Sequence, residues 1–194
     1  MKRFYEALEA SQRPTIASHS GCRALYDHPR NLTDDQLRAL GSHGGVVGIV
    51  FHPGFLDAQA RAEEARVRAS PAYLEVPGSD ATSRFLEKQR VMRTQARPLA
   101  AERFLDHVVH AVEVAGIDHV GIGSDYDGIE RGPEWLEDAA SYGILAELLL
   151  RRGFDLEGVE KVLGLNMERV FGRVTGAGTA AHAARILPIG PGPA

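Results

Sequence analysis

Apolar positions recur at helical spacing in the opening residues, where Phe4, Ala7 and Leu8 share one face and Pro14 closes the segment. The run Thr15-Ile16-Ala17-Ser18 then predicts a short buried strand ending at His19. Thr33 is an N-cap signal for a helix over residues 34–40, with Leu37 and Leu40 turned inward. Gly45-Val46-Val47-Gly48-Ile49-Val50-Phe51 is the clearest strand, apolar on both faces as a parallel strand beneath helices should be. Residues 52–98 break this rhythm with an Ala/Arg/Glu-rich stretch (57–69), a Pro/Gly turn zone (71–78) and a charged helical run (83–94). Two readings stand here: an excursion from a strand end that covers an active site, or a solvated surface insertion.

Alternation then returns. A helix is predicted over 101–115, a strand over His119-Val120-Gly121-Ile122-Gly123-Ser124, a helix over 136–151 and a last one over 156–171. From Gly172 onward the Gly/Ala/Pro-rich tail has little to bury and is expected to be disordered. Strands alternating with helices predict an α/β protein with a parallel sheet. Only about three strands are read, fewer than a closed barrel needs, and an open sheet this apolar would leave its edges exposed. The chain also opens inside a helical pattern with no cap before it.

Composition narrows the partners. With 44% hydrophobic and 25% charged residues in 194, the chain fits one globular domain with a real core. A net charge of −4 offers no footprint for nucleic acid, and no run of about 18 apolar residues predicts a membrane span. The opening residues lack the apolar core of a secretory signal, so a cytoplasmic protein is expected. Cys22 stands alone, which excludes a disulfide framework and leaves any zinc site to His and carboxylates.

Chemistry in α/β folds gathers at the C-terminal ends of strands, which singles out His19, Arg30 in the following loop, and Asp125. A histidine there is a metal ligand, a general base or a hydrogen-bonded loop residue. Arg30 offers a planar fork suited to a carboxylate, or else a surface ion pair. Asp125 and Asp127 face the same way if the strand persists, one of them as an acid/base group, or form a turn around Gly128. Gly121-Ile122-Gly123 has Tyr126 where a dinucleotide loop needs its third glycine, and the segment 125–128 lacks the other ligands of a calcium loop. His107 and His110 share a helical face without a carboxylate motif and read as surface or packing residues. His28, His43 and His52 are loop candidates without a visible partner, and Cys22 lacks the pattern of a thiol nucleophile.

Four segments together resemble the renal (membrane) dipeptidase family of binuclear zinc peptidases, over about residues 1–171. They are Pro14-Thr15-Ile16-Ala17-Ser18-His19-Ser20, His28-Pro29-Arg30-Asn31-Leu32-Thr33-Asp34, His119-Val120-Gly121-Ile122-Gly123-Ser124-Asp125-Tyr126-Asp127-Gly128 and Gly164-Leu165-Asn166-Met167-Glu168-Arg169-Val170-Phe171. The resemblance implies the C-terminal portion of a (β/α)8 barrel, incomplete as a single chain, with two zinc ions at the C-terminal face of the strands. It implies that His19 is the last protein ligand of the second zinc, that Arg30 holds a dipeptide substrate, and that Asp125 is the acid/base carboxylate near the leaving amine. The family's His-x-Asp pair, its bridging Glu and a further His would lie in an N-terminal half that this sequence does not contain. The expectation is therefore weak zinc binding and no dipeptide hydrolysis by this polypeptide alone, with an N-terminal half or a second copy completing the barrel. The alternative is a non-catalytic protein that reads a small ligand through Arg30 and Asp125.

Overall fold

The computed structural model describes residues 2–176. Three strands form one parallel sheet in sequential order: β1 (Ile16–Ser20), β2 (Val46–Val50) and β3 (Val120–Gly123). The apolar runs are strands as predicted, but their bounds differ. β1 includes His19 and Ser20, and β3 starts only after a 3-10 turn at Ile117–His119. β2 is wholly buried, whereas the outer strands β1 and β3 keep half-exposed positions along the sheet's two edges. Among the described residues no further strand pairs with either edge.

The register between β1 and β2 shifts between Ala17 and Ser20, and this irregularity carries the Ser18 carbonyl over the neighbouring strands. A Cβ on Gly48 would lie 2.3 Å from that oxygen, and one on Gly123 only 2.0 Å from it. Gly48 and Gly123 are therefore sites of close backbone approach.

Helices cover the sheet from one side of the chain order to the other. α1 spans Lys2–Ala10, ending before Pro14. α2 (Asp34–Ser42) opens on a capping box in which the Thr33 side chain accepts from the Gln36 amide, and the Gln36 side chain accepts from the Thr33 amide. It packs against α7 (Ala101–Ala115), and Leu37, Leu40, Phe104, Leu105 and Val108 join Val47, Ile49 and Phe51 in one core. Burying such side chains contributes roughly 1.5–3 kcal/mol each, the main force holding helices to sheet.

The stretch after β2 holds four helices: α3 (Pro53–Leu56), α4 (Ala58–Arg68), α5 (Pro71–Leu74) and α6 (Ala81–Gln95). Part of the expected turn zone is thus helical. These helices share a small second core of Val67, Tyr73, Val91, Met92 and Ala96. They are also fastened to the segment leaving β3. Arg68 meets Glu130 at 2.6 Å, Tyr73 donates to the same carboxylate, and Arg131 donates to the carbonyls of Arg93 (3.0 Å) and Ala96 (2.6 Å).

After β3 the predicted helix over 136–151 is shorter. A 3-10 turn at Ala139–Ser141 leads into α8 (Tyr142–Arg151), and Leu136 is buried in the loop before it. The last helix is one path through α9 (Leu156–Glu160), a π-turn at Lys161–Leu165, and α10 (Asn166–Thr175). It runs four residues past the predicted end at 171; the rest of the expected tail, 177–194, lies outside the described residues. The Asn166 amide donates to the carbonyls of Ile117 (2.7 Å) and Val120 (2.8 Å), and Arg169 to those of Gly44 (3.0 Å) and Asp118 (2.6 Å). That part of the Gly164–Phe171 sequence pattern clamps the turns that feed β2 and β3. No helix among the described residues is long and apolar enough to cross a membrane.

Candidate active site

Because the strands are parallel and in step, their C-terminal ends lie along one edge of the sheet. Each end delivers a titratable side chain: His19 within β1, His52 just beyond β2, and Asp125 just beyond β3. Arg30 comes from the loop between β1 and α2. This loop is held by Asn31, which accepts from the Gly21 amide (2.9 Å) and donates to the carbonyls of Tyr26 (3.0 Å) and Phe55 (2.7 Å).

Arg30 Nη2 meets His19 Nε2 at 2.7 Å, and His19 Nδ1 lies 2.8 Å from Ser18 Oγ. A guanidinium only donates, so Nε2 accepts and Nδ1 carries the proton donated to Ser18. The same guanidinium stands 5.5 Å from the Phe55 ring centroid. Phe55 is the centre of a stack. His52 lies parallel to it (6°) at 4.3 Å, His28 stacks on it at 4.5 Å, and Tyr26 follows His28 at 5.9 Å. His28 Nδ1 accepts from the Arg30 amide at 3.2 Å, so the stack holds both backbone and head of Arg30.

Behind His52 sits a buried polar group. The Gly54 amide donates to His52 Nδ1 (3.1 Å) and to Glu64 Oε1 (3.3 Å), with Glu64 Oε2 3.8 Å from Arg68. Burial, with a smaller push from Arg68, drives His52 down to about 4 against the pull of Glu130 and Asp125. Burial likewise raises Glu64 to about 7, opposed by Arg68 and the Gly54 amide. His52 is therefore neutral at pH 7, and its 3.4 Å approach to Glu64 is not an ion pair. His28 is also lowered, by burial first and then by Arg61, Arg30 and Arg23.

Asp125 has left the strand. Its φ of 61° is left-handed, an uncommon conformation for a non-glycine residue, and its carbonyl accepts from the Gly128 amide at 2.9 Å. Asp127 falls in the exposed 3-10 turn Tyr126–Gly128, so the two aspartates do not continue the strand's alternation. The structure joins His19 to Arg30 directly, and Arg30 to His52 across Phe55. Asp125 reaches the group through its charge on His52.

The other candidates are accounted for structurally. Cys22 is fully buried, and burial followed by the Asp34 charge pushes its thiol up to about 12. His107 is fully buried between the Cys22 amide and the Leu56 carbonyl, and His110 pairs with Asp34 at 2.8 Å. Sequence reasoning noted His52 without a partner and passed over Phe55 and Glu64. The strand-end rule that found His19 and Asp125 points equally to His52. An open cavity of about 590 Å3, lined by Asp57, Glu63, Arg97, Arg103 and Glu134 among others, contains none of these residues.

Among the described residues no three His, Cys, Asp or Glu side chains converge to hold a metal ion. His19 supplies one imidazole, and its Nε2 lone pair is engaged by Arg30. This donor set alone does not fit a tightly held zinc, which needs three or four protein ligands.

The sequence pattern of the membrane dipeptidase family (Peptidase family M19) matches residues 1–185. An uncharacterized dipeptidase of Schizosaccharomyces pombe is 32% identical over 169 residues, covering 87% of this chain and 32% of its own length. The probable dipeptidase PvdM from Pseudomonas aeruginosa superposes with a TM-score of 0.69 at 26% identity, over 91% of this chain and 48% of its own. A metallo peptidase from Rhodobacter sphaeroides, solved with a phosphinate mimic of the dipeptide L-Ala-D-Ala, superposes with a TM-score of 0.65 at 25% identity, over 88% of this chain and 39% of its own. The chain thus spans from about a third to just under half of the length of these relatives.

Proposed function

Because this chain belongs to the membrane dipeptidase family, peptidase family M19, we propose that it supplies the substrate-holding and proton-transferring part of a site that hydrolyses dipeptides. The observation that carries the reading is the alignment of the His19–Arg30 pair with Asp125 along the C-terminal edge of one parallel sheet. Each residue has a distinct task there.

Arg30 is exposed and uses Nη2 on His19, so Nε and Nη1 remain for a carboxylate. A small zwitterionic peptide would be oriented by that charge-assisted contact. The pinned backbone of Asp125 fixes the direction of its carboxyl group, which serves to carry a proton to the departing amine nitrogen. A metal, in a site of this family, supplies polarisation of the scissile carbonyl. His19 is one of its donors in this reading, and the remaining donors come from polypeptide outside this stretch. The open edges of β1 and β3 support the same picture, in which further strands, from an N-terminal half or a second copy, close a (β/α)8 barrel.

The test is a titration of the full chain with the dipeptide alanyl-alanine at millimolar concentration, read by NMR at the Arg30 side chain and the Asp125 amide. Saturable shifts at both, abolished by Arg30→Ala, are expected. Shifts confined to other surfaces would sink the assignment. With stoichiometric zinc added, the homogeneous chain is expected to show no turnover; clear turnover would refute the shortage of donors.

A further inference from the structure

The neutral imidazole of His52 has one side unaccounted for. One face and Nδ1 have structural work: the ring stacks on Phe55 at 4.3 Å, and Nδ1 accepts from the Gly54 amide, capping α3. That hydrogen bond fixes the tautomer, since an accepting Nδ1 leaves the proton on Nε2. Nε2 makes no hydrogen bond among the described residues, although the side chain is only 15% exposed. A helix cap and a ring stack explain Nδ1 and one ring face. Neither uses the Nε2–H, which no described group accepts and which keeps contact with solvent at the edge of a largely buried ring.

The surroundings indicate what would accept. His52 follows β2, between the strand ends that carry His19 and Asp125. Its stacking partner Phe55 is the ring beneath the Arg30 guanidinium. Buried Glu64 shares the Gly54 amide with Nδ1 and fills the side away from Nε2. An N–H and a guanidinium that share the Phe55 ring suit a ligand that presents more than one acceptor oxygen.

We propose that His52 is a further binding residue of this site, its Nε2–H donating a hydrogen bond to a carbonyl or carboxylate oxygen of a small peptide anchored by Arg30. The proposal rests on the dipeptide reading of the site and adds to it a recognition group from the middle strand. It also gives Phe55 a purpose as a positioning residue, holding the ring plane.

Two measurements on the full chain decide it. A long-range 15N–1H imidazole spectrum without ligand is expected to show His52 protonated at Nε2; a proton on Nδ1 overturns the proposal. Alanyl-alanine is then titrated into two variants that separate the roles of the ring. His52→Phe keeps the stack and removes the N–H, and is expected to bind about tenfold more weakly, the loss of one hydrogen bond to a charged oxygen. His52→Gln loses the stack and restores a donor near Nε2, and is expected to bind within about threefold of the parent. The reverse order, Phe binding normally and Gln weakly, would show that only stacking matters and would overturn the proposal, as would normal binding by both. If His52→Phe does not fold, His52→Leu takes its place. Like the Gln variant it lacks the stack, but it also lacks a donor, so it is expected to bind about tenfold more weakly than His52→Gln, and equal binding by the two overturns the proposal. Failure of the parent chain to bind, with Arg30→Ala indistinguishable from it, would be a failure of the dipeptide reading itself. The His52 tautomer would be unaffected by that result.

Discussion

Replacing His107 with leucine probes how the two loops that carry the site are held. His107 lies on α7 and is fully buried. Its Nδ1 accepts from the Cys22 amide just after β1 (2.9 Å), and its Nε2 donates to the Leu56 carbonyl at the end of α3 (3.0 Å). The ring thereby ties the loop bearing Arg30 and the turn bearing His52 to one helix. His107→Leu keeps the volume but leaves one N–H and one C=O buried without partners. At about 1–3 kcal/mol for each orphaned group, the loss is about 2–6 kcal/mol at pH 7. That is a large fraction of the roughly 5–15 kcal/mol holding a typical domain together.

The same residue gives the loss a pH signature. Burial, aided by Arg103 and opposed by the Leu56 carbonyl and Asp106, lowers His107 from 6.5 to about 4. The unfolded chain therefore binds a proton that the folded chain refuses between those values. The ring's contribution is fully present above pH 6.5 and is lost as pH falls toward 4, about 3 kcal/mol over the whole window. His107→Leu has no such proton to take up, so the gap between parent and variant should narrow by about 2 kcal/mol between pH 7 and pH 5. His52 is lowered in the same direction but is present in both chains, so it cancels in the difference. Urea unfolding at several pH values, followed by circular dichroism, measures both quantities. A cost below about 1 kcal/mol at pH 7, or a gap that ignores pH, would refute the account of His107 as a neutral bridge.

Two further outcomes follow from packing. Cys22, buried with its thiol pushed up to about 12, should resist a thiol-reactive disulfide at pH 8 in the folded chain and react at once in urea; rapid native labelling would contradict its burial. Gly123→Ala sets a methyl 2.0 Å from the Ser18 carbonyl and should cost about 3 kcal/mol or more, while Gly143→Ala, which meets nothing within 4 Å, should be near neutral; similar midpoints for the two would show that the close approach is not real.

Strands and helices near the core were legible because their signals are local. Continuous apolar runs placed β1, β2 and β3 to within a residue or two at each end, and the apolar stripe of α7 set its bounds as observed. The capping box at Thr33 is likewise a short-range pattern. The strand-end rule picked out His19 and Asp125 on the same physical ground, since parallel strands in step present their ends together.

Partnership was not legible. His107 and His110 sit three residues apart on one helix, yet one is sealed in the core and the other meets Asp34 at the surface; helical spacing cannot choose between them. The helices after β2 carry too weak an apolar stripe to reveal the small core they share with Tyr73 and Met92. Glu64 looks like one more charge in an Ala/Arg/Glu-rich run until the fold buries it behind His52. By itself the sequence determined which segments bury apolar surface, and so the order of strands and helices. Only the tertiary structure decided which polar groups meet, because those contacts bridge distant parts of the chain. The sheet must first bring the ends of β1, β2 and β3 side by side before the Arg30 loop, the Phe55 stack and Asp125 share one edge.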